Sequence, residues 1–460
     1  MTEIILPGTY IKVLDEGLIS AGAISSGNIG IVGTASKGPI DEVVILGSFG
    51  EAKEMFGEAD QWQDGTKNEL TLIRALELIY NNGGKTIYAV RTADKSKNAS
   101  ANASLNLKSG STTAIEIVAE SAGTWGNGIL VTVTEADSQR QVSILSGVNK
   151  ETYLGASTPD LVANISKNSQ LVTATQKSAG DLNNLAETPL TGGKNGENVS
   201  SIEYQSSLEK LENDIVNIVI LAGQDTEMAS ILDGHLNVTK EIKRERIGII
   251  GGISDDVSRL ASHGVASDRM ILVGPGLVKM VVDPETRKKS KIDLPAGYMA
   301  AVVAGKISSL PVQASPTNKT LTVEGLSTVY TSSKLEKLVQ GRVLTVENRE
   351  GFRIVKGITT ATNSAWHQIT TRRIVDYAIY GVRSSCNSYI GKLNNERVRG
   401  ALKATIDGFL TRMVNNEALV GYELEVSATR AQQIAGEVVV NMTLQPVFSI
   451  DFIKVNMYLS

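Results

Sequence analysis

Ser254, Asp255, Asp256 and His263 lie close together in the chain and have the types of a hydrolytic triad: a hydroxyl nucleophile, a carboxylate and an imidazole. No GxSxG elbow surrounds the serine. A serine followed by two acids is also what a helix N-terminus selects, the hydroxyl as a cap and the carboxylates against the dipole, and that reading is preferred. The run Gly248-Ile249-Ile250-Gly251-Gly252-Ile253-Ser254 looks like the glycine-rich turn of a nucleotide site. Its spacing departs from GxGxxG and the sequence contains no GxxxxGK[ST], so a tight strand-to-helix turn accounts for it. His235, His263 and His367 are scattered, with no HExxH or other close ligand spacing. The single cysteine, Cys386, excludes an intrachain disulfide, a Cys-rich zinc site and a CxxC redox pair, and reads as a small buried side chain on a helix. These residues nominate no catalytic, cofactor-binding or metal-ligating set, so the chain is read as a non-enzyme without a cofactor.

The elements around these residues belong to a folded, multidomain α/β and α+β protein. At 460 residues and 42 % apolar content the chain can build two to four domains with real cores. Residues 29–32 and 43–46 read as strands, residues 72–80 as a helix with Asn68 as its cap and Asn81-Asn82-Gly83-Gly84 as its stop, and 86–91 as a strand. From 93 to 199 the composition turns to Ser, Thr, Asn, Gly and Lys, with alternating runs at 114–118 and 129–133, the pattern of a β-rich insertion that returns through a linker at 192–196. Near-continuous apolar runs at 215–222, 247–250 and 270–273, separated by helix-length segments, indicate a parallel sheet buried on both faces. A hairpin turning at 283–286 follows, and Pro295 opens a small-residue helix reaching about Ser309. A nucleotide-binding protein or hydrolase built on residues 215–310 is the competing reading, and it lacks a phosphate loop.

The last third begins with strands over 341–356, then a helix over 369–389 and a second helix capped at Asn394 or Asn395. Val398, Leu402, Ile406, Phe409, Leu410 and Met413 form the apolar stripe of that second helix, and Arg397, Arg399, Lys403 and Arg412 are its cations. The cations are either a solvated face or a docking surface for an acidic partner. Arg372-Arg373 stand at the start of the preceding helix, where they oppose the dipole and call for partners. Forty-five basic against 49 acidic residues leave a net charge of −4, and no aromatics interleave with the cations, so nucleic acid is not an expected partner. No repeat with a period of 20 to 50 residues runs along the chain. No apolar run approaches the roughly 18 residues of a membrane span, no secretory signal opens the sequence, and synthesis and folding in the cytoplasm are expected.

Both ends of the chain are strand-forming. Residues 446–460, PVFSIDFIKVNMYLS, place Phe448, Ile450 and Phe452 on one face and then Ile453, Val455, Met457 and Leu459 on the other, so a bulge or a change of packing partner is expected near Phe452. An unpaired apolar strand is an aggregation hazard unless an acceptor exists. Tyr10, Ile11 and Val13 lie in a similar extended run behind Pro7-Gly8. Two such ends suggest a protein that grips copies of itself.

In order, the segments LPGTYI (6–11), GIVGTASKGPIDEVVILGSFGEAKEMFG (30–57), GGKTIYAVR (83–91), AGTWGNGILVTV (122–133), PAGYMAAVVAG (295–305) and the block from Trp366 through Arg372-Arg373, Phe409, Gly421 and Gly436 to Phe452 cover nearly the whole chain. Through them the chain resembles the sheath proteins of contractile phage tails, phage-tail-like bacteriocins and related injection systems. Asn394-Asn395-Glu396-Arg397 stands where many relatives carry a bulky apolar residue, and residues 93–200 carry few family landmarks beyond GTWGNG.

The resemblance implies a structural subunit that polymerises as hexameric rings or a six-start helix around an inner tail tube. Contraction of the lattice would drive the tube through a target envelope, on conformational energy stored at assembly. It implies baseplate and tail terminator proteins as further partners, and a place in a virion tail or phage-tail-like particle assembled in the bacterial cytoplasm, without membrane insertion. Another tail or baseplate component is the structural alternative. The implied layout is an N-terminal linking arm (1–20), an α/β outer part (21–92), a β-rich inserted domain (93–200), a central α/β domain of subtilisin-like shape (201–340), a tube-facing α+β domain (341–444) and a C-terminal linking arm (445–460). Within it, Tyr10, Ile11 and Val13 would link subunits at one end and Phe448, Ile450, Phe452, Ile453, Val455 and Met457 at the other, with Arg397, Arg399 and Lys403 facing the tube.

Overall fold

The computed structural model describes residues 25–60, 70–96, 99–136, 139–196, 198–282 and 287–458. Tyr10, Ile11, Val13, Asn68, Leu459 and the turn at 283–286 lie outside the described residues. Contacts divide the chain into a larger unit, Gly27–Leu310 with Pro316–His367, and a smaller one that includes Pro311–Ser315 and Gln368 onward.

An eight-stranded sheet organises the larger unit, in the order Val43–Leu46, Ile87–Arg91, Ile29–Gly33, Ile218–Asp225, Ile247–Gly251, Met270–Gly274, Val343–Asn348, Phe352–Ile354. The six inner strands are parallel and the two outermost are antiparallel. Ile29–Gly33, Ile247–Gly251 and Met270–Gly274 are buried at every position, as apolar strands covered on both faces must be. This redraws the expected layout. Segments 21–92 and 201–340 contribute neighbouring strands to one sheet, paired Ile29 to Ile218 and Ile31 to Ile220, and residues 343–354 complete that sheet rather than opening the C-terminal domain.

The helices Leu72–Asn81 and Ala296–Ser309 pack against each other and against the sheet. Ala296–Ser309 is buried at nearly every position, so its small residues let it lie directly on strand backbones. A Cβ on Gly297 would stand 2.4 Å from the backbone carbon of Gly223, and one on Gly251 would stand 2.1 Å from the Gly297 nitrogen. Of the glycines that looked like a phosphate-binding turn, Gly251 makes this close approach, while Gly248 and Gly252 leave room for Leu232, Leu236 and Leu260. A second apolar cluster joins Val219, Leu221, Ile250 and Leu272 of the sheet to Leu208, Leu232, Leu236 and Leu338 from the helices Ser201–Lys210, Ala229–Glu241 and Ser332–Gln340.

The insertion is built on two larger antiparallel sheets around a core of their own, including Leu107, Ile115, Ile117, Val131, Val142 and Ile144, and a short pair of Ser100–Ala101 with Lys194–Asn195 joins its two ends. One has the order Val172–Gln176, Thr112–Ala119, Ser104–Ser109, and the other Leu185–Pro189, Leu130–Ala136, Gln139–Ser146, Asn149–Gly155. A helix that the polar composition concealed, Thr158–Asn168, is capped by Ser157 and buries Leu161 and Ile165. Arg91, fully buried, staples the insertion to the sheet. Its guanidinium donates to the carbonyls of Gly38 (2.8 Å), Ala122 (2.6 Å) and Asn195 (3.2 Å), one before the insertion, one within it and one at its return. Burial pushes Arg91 down to about 10, which leaves it charged at neutral pH.

Candidate assembly site

The residues that could have done chemistry are occupied structurally. Asp256, not Ser254, caps the helix Val257–Ala261, accepting from the backbone nitrogens of Ser258 (3.1 Å) and Arg259 (3.0 Å). Asp255 accepts from Gly276 N (3.1 Å), Thr328 (3.2 Å) and Ser327, while its carbonyl takes the Tyr330 hydroxyl (2.7 Å). His263 is turned to Gly341 O (2.8 Å) through Nε2 and accepts from Val265 N (2.9 Å) at Nδ1, so no triad forms. Cys386 is half-buried on the helix Ile369–Asn387, its thiol pushed up by burial. No group of three or more His, Cys, Asp or Glu able to hold a metal occurs among the described residues, and no helix there is long and apolar enough to cross a membrane.

His235 is buried and accepts from Arg246 (3.2 Å), whose guanidinium also donates to the carbonyls of Leu211, Glu212 and Asp214. Burial first, and Arg246 second, push its imidazole from 6.5 down to about 3. Between those values the unfolded chain binds the extra proton, so this contribution to stability is present above about pH 6.5 and lost as pH falls toward 3. Acidification from pH 7 to 5 is expected to cost about 2 kcal/mol through this group. His235→Gln should flatten that part of the slope when urea midpoints are compared across pH.

The smaller unit presents unfinished backbone. Its core joins Ile374, Ala378 and Val382 of the helix Ile369–Asn387 to Leu402, Ile406, Phe409, Leu410 and Met413 of the helix Glu396–Asn415. The latter is capped by Asn395, which accepts from Val398 N (3.0 Å). The helices meet at Gly381, where a Cβ would stand 1.8 Å from the Phe409 ring. Arg372 pairs with Asp376 one turn on (2.8 Å), and the buried Arg373 donates to Pro311 O (3.3 Å) and Ser26 O (3.1 Å), so both have the partners their position calls for.

Against these helices lies a two-stranded hairpin, Leu419–Ser427 with Val439–Pro446. Tyr422, Leu424, Val426, Val440 and Leu444 turn toward the core, and Tyr422 donates to the Asp407 carboxylate (2.7 Å). The short helix Arg430–Ala435, with a Thr429 and Gln432 capping box and a left-handed Gly436, connects the strands. Among the described residues neither outer edge of this sheet pairs with a further strand. A two-stranded sheet is the least that holds together, and its open edges are templates for pairing.

Residues 447–458 follow the hairpin without entering any sheet. Val447 N donates to Ala418 O (3.2 Å), Ser449 N to the Gln368 side chain (3.2 Å), and Gln368 in turn donates to Asp451 (3.3 Å). Alternate residues are therefore tied down, and those between face solvent: Phe448, Ile450 and Phe452 are 62 %, 79 % and 78 % exposed. Beyond Phe452, Ile453, Val455 and Met457 are exposed as well. Arg397 and Lys403 are exposed on the outer face of Glu396–Asn415, whereas Arg399 is half-buried and held by the Asn394 side chain (2.8 Å), itself bonded to Glu437 O (2.8 Å).

The larger unit is thus a mixed α/β body with an insertion, and the smaller is an α+β unit bearing the hairpin and the exposed apolar residues that follow it. Residues 361–460 match the phage tail sheath C-terminal domain. The chain is 29 % identical over 220 residues, 44 % of its length, to the tail sheath protein of Staphylococcus phage Twort, a match spanning about a third (34 %) of that protein. Its fold is shared with the sheath tail protein of Desulfitobacterium hafniense (TM-score 0.68, 16 % identity, 96 % of this chain and 100 % of that one). It is shared too with the sheath of the PVC extracellular contractile injection system in its contracted state (TM-score 0.60, 15 % identity, 100 % and 98 %). The resemblance carried by the sequence motifs is thus borne out: residues 361–460 match the sheath C-terminal domain, and the chain is similar in fold to sheath proteins.

Proposed function

We propose that the chain is the polymerising subunit of a contractile sheath that surrounds an inner tube and shortens to drive it through a target envelope. One observation carries the reading: a two-stranded hairpin sits in the same unit as an apolar arm, and among the described residues neither the hairpin edges nor the arm pair with a further strand. Each side lacks what the other supplies. The hairpin of one copy would accept the arm of another at one edge, with residues 1–20 of a further copy as the natural occupant of the other. Backbone hydrogen bonds then hold copies together while the arms act as hinges. Such a head-to-tail contact does not close on a pair, so it propagates as a helix, and several weak links per copy add up.

With no nucleotide or metal site assigned, the work of contraction is assigned to the lattice, assembled in a kinetically trapped form and released into one with better contacts between bodies. The chain is non-enzymatic in this account, with baseplate and tail terminator proteins at the ends of the lattice, in a virion tail or phage-tail-like particle. Arg397 and Lys403 are the stronger tube-facing candidates, and Arg399 supports the loop before them. Arg397→Glu with Lys403→Glu should leave sheath polymerisation intact and abolish co-sedimentation with tube protein; unchanged co-sedimentation removes this helix from the tube contact. Negative-stain microscopy of the purified chain tests the function itself. Striated cylinders are expected, and discrete particles at every concentration would contradict it.

A further inference from the structure

Beside the outermost strand Val43–Leu46 the larger unit holds an open groove of about 840 Å³. It is lined by Trp125, Ile45 and Met55 and by four carboxylates, Glu42, Glu51, Glu54 and Glu120. Lys37 is the one cation among the described lining residues. Its Nζ lies 4.9 Å from the centre of the Trp125 ring and donates to the backbone carbonyl of Glu54 (2.7 Å), so the groove already holds an ammonium against an aromatic face. Glu51 accepts from Gly47 N (2.8 Å), the charge of Glu54 acts on Lys37, and Glu42 and Glu120 make no ion pair with a described residue.

The same chain carries the complement elsewhere. The hairpin of Leu277–Val282 and Lys289–Leu294 is six residues long on each side, a reach of roughly 20 Å at about 3.3 Å per residue. Arg287, Lys289 and Lys291 lie toward its far end, all exposed, and Asp293 is the one acid of its two described strands. Below them the hairpin is tied down: Ile292 and Leu294 are buried, and Lys279 pairs with Glu77 on the helix Leu72–Asn81. Like charges gathered at the end of a fixed hairpin repel one another, and an acidic acceptor relieves that repulsion.

We propose that the basic hairpin of one copy seats in the Trp125 groove of a second copy. The two patches are different surfaces of one molecule, so the contact runs head to tail and repeats along a lattice. This rests on the self-assembly reading above and adds a contact between bodies, distinct from the arms. Two charge-reversed chains test it, Glu54→Lys with Glu120→Lys in the groove and Lys289→Glu with Lys291→Glu on the hairpin. Each should raise the concentration at which cylinders appear roughly tenfold at low salt, since two partly desolvated ion pairs turn repulsive. Mixing the two variants, or combining all four changes in one chain, should bring it back toward wild type. Wild-type cylinders unaffected by either reversal, or a combined chain no better than its parents, overturn the contact while leaving the sheath reading standing. Absence of cylinders from the wild-type chain would instead strike the sheath reading itself.

Discussion

A chain that ends at Pro446 should fold with its hairpin intact and form no long cylinders. Val439–Pro446 pairs with Leu419–Ser427 along its length, so a cut earlier in the strand, after Thr443 for instance, would confuse loss of the arm with loss of the hairpin. The residues removed include Phe448, Ile450, Phe452, Ile453, Val455 and Met457, all exposed in the single chain. At about 1.5–3 kcal/mol for each such side chain buried, the arm can supply on the order of 10 kcal/mol per link before ordering costs. Those costs run to about 1–2 kcal/mol per residue fixed, and the anchors from Ala418 to Val447 and from Gln368 to Ser449 and Asp451 reduce them by ordering the first part of the arm in advance. Because the arm touches little of its own unit, the melting temperature should stay within about 2 °C of the full chain. Long cylinders from the shortened chain would remove strand donation as the link.

Gly297→Val should be the most destructive single change in the larger unit. Its Cβ would fall 2.4 Å from Gly223 C and 2.5 Å from Gln224 O, backbone atoms that cannot step aside as a side-chain tip can. Relief requires the helix Ala296–Ser309 to lift off the sheet it covers, at a cost of about 3 kcal/mol or more. Loss of the soluble protein, or a melting transition lowered by roughly 5–10 °C, is the expected reading in a thermal scan. Gly234→Ala is the matched control. That glycine lies inside the helix Ala229–Glu241 with nothing within 4 Å of an added Cβ, so the change should stabilise by about 0.5–1 kcal/mol. A tolerated Gly297→Val would mean that the helix does not sit as closely on the sheet as described.

What the sequence made legible follows from local physics. Runs such as 247–250 and 270–273 announce strands buried on both faces, and the stripe from Leu402 to Met413 announces a helix with one buried side. Strand neighbours are another matter: nothing in an apolar run at 29–32 says that it will pair with 218–221 rather than close a small unit with 87–91 alone. Hence one sheet was read as two. Asp256 displaces Ser254 as the cap because the helix begins at Val257: the Ser254 hydroxyl accepts from Asp256 N (3.1 Å), and the tertiary contacts of Asp255 with Gly276, Ser327 and Thr328 hold the turn.

The assembly site shows the same division. Asp376 could be paired with Arg372 from spacing alone, but the acceptors of Arg373 and of Arg91 are backbone carbonyls remote in sequence, which leave no residue signal. The face change near Phe452 was visible as an alternation, and it falls where the ties to Gln368 end at Asp451. Residues 419–427 carry the alternation of a half-covered strand, with Tyr422, Leu424 and Val426 inward and Glu423 and Glu425 outward.

Hydrogen exchange at the amides of residues 448, 450 and 453–457 tests strand donation between copies most directly. In dispersed chains these amides enter no sheet and should exchange within seconds; in assembled particles alternate ones should be protected by a factor of roughly a thousand or more, on both sides of Phe452. Exchange in the particles as fast as in the dispersed chain would show that the arm joins no neighbouring sheet, and the account would fail at its centre.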